Sequence, residues 1–474
     1  MTQLTRKADV AKLLELVSLV NKASEAVISC WENGNSTAET VEGVQLPSHD
    51  LFNAQRTILA ALGSIEELVS DPSHRLLGFA MQYVESRALQ VAAEHRLADM
   101  LQQYEGTGLH IAQISQKSGI DQDKLARVLR LLCSQHIFSE VAPDTFANNA
   151  VSRALVGNED LRAYIMLFSL IPYTACDYLP DMLVHPKMGP SYKLEETAFN
   201  LAIGTEQSCW DWISNKAPAS RVRRSPNFDY FRGTQSNDQK AANGDAGEMM
   251  HRREIEFFGQ AMFGAGKVFS SPLVFDYPWG GLGRATLVDV GGGIGGFSLQ
   301  LSRVYPSLNF VIQDREGTVA EGKQFWGKKS PQDLDSGRVR LVPHDFFTEN
   351  PIKEAEAYLL RYILHDWSDE YCIKILTEIR KAMGPNSRLL IVDQVMNTTI
   401  GDKSLTSAPA PLLANYGHYI RFSHQIDLAL MSTINGIERT KPQFEHIIQA
   451  AGLRIATIKE ARTQVSVIEC VKAS

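Results

Sequence analysis

The chain lacks any apolar run approaching the ~20 residues that a bilayer-crossing helix requires, and its first twelve residues carry Arg6, Lys7, Asp9 and Lys12 where a secretory leader has an apolar centre. Both absences lead to the expectation of a cytoplasmic protein without a membrane partner. The six cysteines among 474 residues form no CxxC pair and have no histidine at zinc-ligand spacing, which argues for reduced thiols and no metal site. Positive charge is also in short supply: 47 Lys plus Arg stand against 54 Asp plus Glu, a net charge of −7. No broad basic field therefore exists to hold a nucleic acid backbone. With 44% hydrophobic and 21% charged residues, the composition is that of a globular chain large enough for about three domains of ~150 residues.

What is present is a glycine loop. Leu287-Val-Asp-Val-Gly-Gly-Gly-Ile-Gly-Gly296 reads as a buried strand, a tight turn and the start of a helix over 297–304, and Asp314 follows 21 residues after Gly293 at the end of the next strand. An acid at that position can hold two ribose hydroxyls. As a bare pattern, Gly291-x-Gly293-x-x-Gly296 suits a dinucleotide as well as an adenosyl cofactor, so the glycines alone leave both open.

Four stretches are distinguished along the chain. Residues 1–73 read as a helical arm: apolar spacing predicts helices over 7–30 and 50–70, and no chemical motif appears, consistent with a packing or dimer-forming role. Residues 74–155 give the outline of a winged helix, with a long helix, a short helix at 111–116, a turn at Lys117-Ser-Gly-Ile120, a second helix over 121–135 and a hairpin over 137–147. The second helix mixes Asp121, Asp123, Lys124, Arg127 and Arg130, a balance that favours a dimerising module over a DNA reader. Residues 156–285 read as a helical, aromatic-rich linker and acceptor-pocket segment, interrupted at 215–248 by a polar stretch with Arg221, Arg223 and Arg224 that reads as a surface loop. From 286 to 474, strands predicted at 286–290, 309–313, 338–342, 357–364 and 388–392 alternate with helices in the manner of a doubly wound α/β sheet. Strands at 453–459 and 464–471 suggest an antiparallel edge hairpin.

Polar residues fall at the carboxyl ends of those strands: the glycines after the first, Asp314 after the second, Asp345 beyond the third, His365 ending the fourth and Asp393 ending the fifth. In an open α/β sheet that edge holds the ligand crevice, so groups far apart in sequence are expected to converge there. Any one of them could instead cap a helix.

The strings Asp289-Val-Gly-Gly-Gly-Ile-Gly295, His344-Asp-Phe-Phe347, Leu364-His-Asp-Trp-Ser-Asp369 and Gly436-Ile-Glu-Arg-Thr440 together resemble the S-adenosylmethionine-dependent O-methyltransferases of the plant caffeate type and their fungal secondary-metabolite relatives. The resemblance covers roughly residues 280–472, and the winged-helix outline agrees with that family's dimerisation domain. It implies a Rossmann-like class I methyltransferase fold, a homodimer and S-adenosylmethionine as cofactor. It also implies transfer of a methyl group to a hydroxyl of an aromatic, polyketide or alkaloid-type small molecule.

Carried over by position, Asp289, Gly291 and Gly293 border the cofactor, Asp314 binds its ribose, and Asp345 and Phe346 meet the adenine. Arg361, where plant members carry Lys, makes a polar cofactor contact, and Trp367 covers the adenine or packs in the core. His365 corresponds to the general base, and Asp393 and Glu438 to the acids that fix its tautomer, with Asp393 shorter than the usual Glu. Imidazole suits this role because its unperturbed pKa of ~6.5 leaves it ready to take a phenolic proton. His418 and His424, in or beside an insertion at 397–423, are further candidates for acceptor contact. Two readings compete: a nicotinamide-dependent oxidoreductase, which the glycines would serve but which has no use for His-Asp-Trp, and a DNA-binding regulator that retains a cofactor fold. A member repurposed for cyclisation is a third. The acceptor is expected to be flat, with an acidic phenol, enol or N-hydroxyl.

Overall fold

Alternating residues of the strands after 285 point to two different cores, and this is what organises the catalytic half of the chain. In a computed structural model, which describes residues 3–33, 39–41, 44–218 and 249–473, seven strands form one sheet: β1 (Thr286–Val290), β2 (Asn309–Asp314), β3 (Val339–Pro343), β4 (Ala357–Arg361), β5 (Arg388–Asp393), β6 (Leu453–Glu460) and β7 (Ser466–Lys472). Their order is β3-β2-β1-β4-β5-β7-β6. The first five are mutually parallel, β7 runs antiparallel to β5, and β6 pairs antiparallel with β7 as the edge hairpin.

Leu287, Phe310, Ile312, Leu359, Leu390 and Val392 pack on one face with Phe297 of α1 (Gly296–Val304) and with Val319 and Trp326 of α2 (Glu316–Lys329). Val288, Val311, Tyr358, Leu360, Leu389 and Ile391 pack on the other with Cys372, Ile375 and Ile379 of α3 (Asp369–Ala382) and with Phe444 and Ile447 of α5 (Lys441–Ala450). This period-two division, apolar on both sides, marks a sheet covered on both faces. Between β5 and α5 lie the 397–420 insertion and α4 (Arg421–Ile434).

The four stretches of the sequence fold into two compact units, Met1–Asp71 with Gly266–Ser474, and Pro72–Ala265. In the first, the helices Gln3–Glu32 and His49–Val69 form a hairpin. This arm is tied down by Arg462, buried at 4% exposure, which donates to Glu39, to the Pro47 carbonyl and to Asp276. Leu46 enters the same core as Trp279, Phe297 and Val467.

In the second unit the expected long helix after residue 74 is three pieces, Pro72–Ala80, Gln82–Glu94 and Leu97–Leu101. The break before the last falls where Arg96 takes a left-handed conformation at φ 52°. Helix Ile111–Ser118 ends at left-handed Gly119, and helix Gln122–Ser134 starts with the Asp121 side chain accepting from the Lys124 N–H. A hairpin of Phe138–Ala142 and Thr145–Asn148 completes the winged-helix outline. Arg130 of the second helix is paired with Glu140 and Asp144. The polar loop expected at 215–248 lies almost wholly outside the described residues.

Candidate active site

The glycine loop is shaped by what it must bend towards. Gly291 turns the chain at φ 71°, a conformation that costs glycine nothing. The N–H groups of Gly291 and Gly292 both donate to the Gln313 carbonyl at the end of β2, at 2.8 and 3.0 Å. The next N–H, of Gly293, donates to Asp314 Oδ2 at 2.9 Å, and the Arg315 N–H donates to Oδ1 at 2.8 Å. Asp314 is thus held by two backbone donors while each oxygen keeps a lone pair for another hydroxyl. Asp289 is buried and accepts from Ser298 Oγ of α1 at 2.6 Å. Burial pushes its carboxyl upward, opposed by the Ser298 hydrogen bond and the charge of Arg361.

A Cβ built on Gly291 would lie 2.6 Å from Ile363 Cδ1 and 3.6 Å from Phe346 Cε1. Apolar walls therefore stand beside the loop and a fixed acid beside its third glycine, a donor and wall set that fits an adenosyl group. Asp345 Oδ1 is occupied by the Phe347 N–H in its own turn. Phe346 and Phe347 both meet Trp367 edge-on, at 5.9 and 4.8 Å. Arg361 Nη1 donates to Ser270 Oγ at 3.0 Å, and its guanidinium carbon lies 5.3 Å from the Phe297 ring centre.

The fourth strand was expected to run to Leu364 and to end at His365. It ends at Arg361, because Tyr362 adopts φ 54° while its N–H bonds the Val392 carbonyl. Leu364–Asp366 then form a 3₁₀ turn that carries His365. Three contacts clamp this turn. The Ile437 N–H donates to the His365 carbonyl at 2.8 Å. A Cβ on Gly436 would come within 2.5 Å of that carbonyl oxygen, so the approach requires glycine. Arg439, at 1% exposure, donates to the carbonyls of Leu364 and Trp367, each at 2.7 Å, and to Asp369.

The His365 side chain is 14% exposed, and its Nδ1 lies 2.8 Å from Glu438 Oε1. Because Glu438 is acceptor-only when ionised, Nδ1 carries the proton in that bond and Nε2 is the basic nitrogen. Glu438 is itself held by the Gln394 amide on Oε1 and by a bond from its own N–H to Asp427. Asp366 Oδ1 sits 3.5 Å from Nε2. Asp393 is at 0% exposure, and neither of its carboxylate oxygens has a hydrogen-bond partner.

Burial works against charging the imidazole, but the charges of Asp366, Glu438 and Asp393 together with the Glu438 bond outweigh it and lift the ring to about 10. Burial and the neighbouring acids push Asp393 up to about 7, against the pull of His365. Asp366 rises to about 6, chiefly through burial.

Sequence reasoning placed His365, Glu438 and Asp393 together but missed Asp366, Gln394, Asp427 and Arg439. Asp366 and Arg439 stand inside the quoted strings and were legible there as polar neighbours; Gln394 and Asp427 carry no sequence signal. His418 packs against the arm at Gly63, and His424 lies on α4 where its charge acts on Asp427. Among the described residues, no group of three or more His, Cys, Asp or Glu side chains is arranged to hold a metal ion.

A central parallel strand leading into a glycine loop, a strand-end acid and an antiparallel edge hairpin define a class I S-adenosylmethionine-dependent methyltransferase. Residues 256–454 match the O-methyltransferase domain model and residues 77–158 the O-methyltransferase dimerisation domain model. The chain is 48% identical to O-methyltransferase tpcA of Aspergillus fumigatus, over 98% of this chain and 96% of that one. It is 47% identical to O-methyltransferase gedA of Aspergillus terreus, over 98% and 97%. Among solved structures, CalO1, a methyltransferase in calicheamicin biosynthesis in its SAH-bound form, aligns with a TM-score of 0.62 at 25% identity, over 85% of this chain and all of that one. The chain belongs to the O-methyltransferase family, with S-adenosylmethionine as methyl donor and fungal secondary-metabolite enzymes as its relatives.

Proposed function

We propose that this enzyme methylates an acidic hydroxyl, a phenol or an enol, on an aromatic, polyketide or alkaloid-type molecule, with His365 as general base. The observation that carries this reading is the orientation of the imidazole: Glu438 engages Nδ1 at 2.8 Å, which leaves Nε2 as the basic atom of a clamped strand-end turn. S-adenosylmethionine supplies an electrophilic methyl group on a sulfonium, and Asp314, the 291–293 loop and the Ile363–Phe346 wall would hold it. Asp289 acts by tying the loop's strand to α1, and Arg361 and Trp367 by bordering the same rim. Asp345 reaches the adenine through its turn with Phe346.

As the acceptor oxygen forms its bond to carbon, its proton passes to Nε2, and Glu438 stabilises the imidazolium. An imidazole lifted towards 10 by its carboxylates is matched to a phenol of pKa ~10. A neutral phenol facing neutral imidazole holds the same protons as a phenolate facing imidazolium, so the elevated value does not disable the base. A rate that climbs with pH towards about 10, where the imidazole gives up its proton, is the expected signature. Replacing His365 by Ala should lower kcat at least ~100-fold while the cofactor Kd, read by calorimetry, changes little; unchanged kcat with any hydroxylated aromatic acceptor would remove the general-base role.

The homodimer is supported by the apolar residues Leu76, Leu77, Phe79 and Met81, all more than half exposed on or beside helix Pro72–Ala80, at the start of the dimerisation-domain match. A cytoplasmic location is supported by six free thiols and by the lack, among the described residues, of a helix long and apolar enough to cross a membrane. The 74–155 segment is read as the dimerisation module and not as a DNA reader, since Arg130 of its second helix is paired with Glu140 and Asp144 of the adjoining hairpin.

A further inference from the structure

Behind the imidazole lies a charge count that does not close. Asp393 at 0% and Glu438 at 4% exposure are both buried, and three of their four oxygens, Asp393 Oδ1 and Oδ2 and Glu438 Oε2, have no hydrogen-bond partner. The groups facing them are few. His365 and Asp366 come from the 3₁₀ turn, Arg439 and the Gln394 amide from the loops, Asp427 from α4, and Asp369 with the Cys372 thiol from α3. Arg439 is committed to Asp369 and two backbone carbonyls, and Gln394 turns its one bonded donor to Glu438 Oε1. One imidazolium is therefore left against Asp366, Asp393 and Glu438. Buried like charges of that number are not all ionised together. The orphaned oxygens need a donor, and for neighbouring buried carboxyls a retained proton supplies one.

We propose that Asp393 and Glu438 hold one proton between them in the resting enzyme, and that this proton, located mainly on Asp393, sets the strength of His365 as a base. Asp393 is then a positioning residue acting through the imidazole, and the proposal rests on the general-base reading above. While the pair keeps its proton, the ring faces two net negative charges in place of three and lets go of its own proton at lower pH. Loss of the proton strengthens the hold of the imidazole on hydrogen. No proton leaves the pair during turnover: the acceptor's proton goes to Nε2 and departs when the product does.

Two measurements on the full-length enzyme test this. Infrared difference spectra between pH 5 and 9, taken without any acceptor, should show the C=O stretch of a buried neutral carboxylic acid that titrates near neutrality and disappears in Asp393→Asn. Persistence of the same band in that variant overturns the assignment, whatever happens to activity. The second readout is the pH profile of kcat/KM. Asn is a permanently neutral isostere, so Asp393→Asn should retain turnover within ~10-fold and move the rising limb at least one unit to lower pH, whereas a merely structural role would lower kcat and leave the limb in place. Should Asp393→Asn fold poorly, Asp393→Ser gives the same infrared prediction. If the band behaves as described but His365→Ala is fully active, the general-base reading fails and the shared proton stands.

Discussion

At the level of single residues, the site divides labour between groups held by backbone and groups held by other side chains. Asp314 is the first kind. Its oxygens are fixed by the N–H groups of Gly293 and Arg315, so its lone pairs are aimed before any ligand arrives, and little ordering cost falls on binding. Hydrogen bonds to a charged acceptor contribute about 1.5–3 kcal/mol each, and Asn keeps the shape while losing the charge. Asp314→Asn should therefore raise the cofactor Kd about 10- to 100-fold, measured by calorimetry, with kcat at saturating cofactor within a few-fold of the parent. A drop in kcat with unchanged Kd would mean that the acid serves chemistry and not binding. His365 is the second kind: its ring direction is set by Glu438, which in turn leans on Gln394 and Asp427.

At the level of elements, the 3₁₀ turn of 364–366 is the part that sequence patterns described least well. The run Ala357 to Leu364 is aliphatic or aromatic throughout except for Arg361, so periodicity extends the strand to its end. The left-handed Tyr362 that stops it has no signature in residue type, since positive φ in a bulky residue is imposed by tertiary contacts. The strands and helices around it were legible because two-sided burial writes continuous apolar runs and because glycine and proline punctuate them. The rim position of His365 was legible from topology alone; its neighbours Gln394 and Asp427, 29 and 62 residues further on, were not. Arg439 converts this irregular turn into a rigid one. Its guanidinium serves the carbonyls of Leu364 and Trp367 and the Asp369 carboxylate, a fork that Lys cannot reproduce. Arg439→Met should lower unfolding free energy by about 2–4 kcal/mol, through the lost bonds to buried carbonyls, and depress kcat without shifting cofactor Kd. Urea denaturation alongside steady-state kinetics checks both; Arg439→Lys recovering full stability would show that charge alone suffices.

At the level of the whole molecule, the first seventy residues are not an appendage to the catalytic half. Sequence alone gave them no chemistry and left packing and dimer formation as alternatives, because the contacts that decide the matter span more than four hundred positions. Arg462 reaches Glu39 across 423 residues and the Pro47 carbonyl across 415, and Leu46, at 4% exposure, sits in the core that also contains Trp279, Phe297 and Val467. Such a side chain behaves as a core residue of the sheet domain. Truncating it removes buried methyl groups and leaves a cavity, at a cost of about 2–5 kcal/mol. Leu46→Ala should thus lower the melting temperature of the enzyme and accelerate loss of cofactor binding on heating, with the dimer mass in light scattering unchanged at ambient temperature. If the arm served only to join two copies, the same substitution would leave the melt in place, and Leu77→Asp in the dimerisation domain would be the variant that changes mass. The two variants together separate an arm that completes the catalytic core from one that merely assembles it.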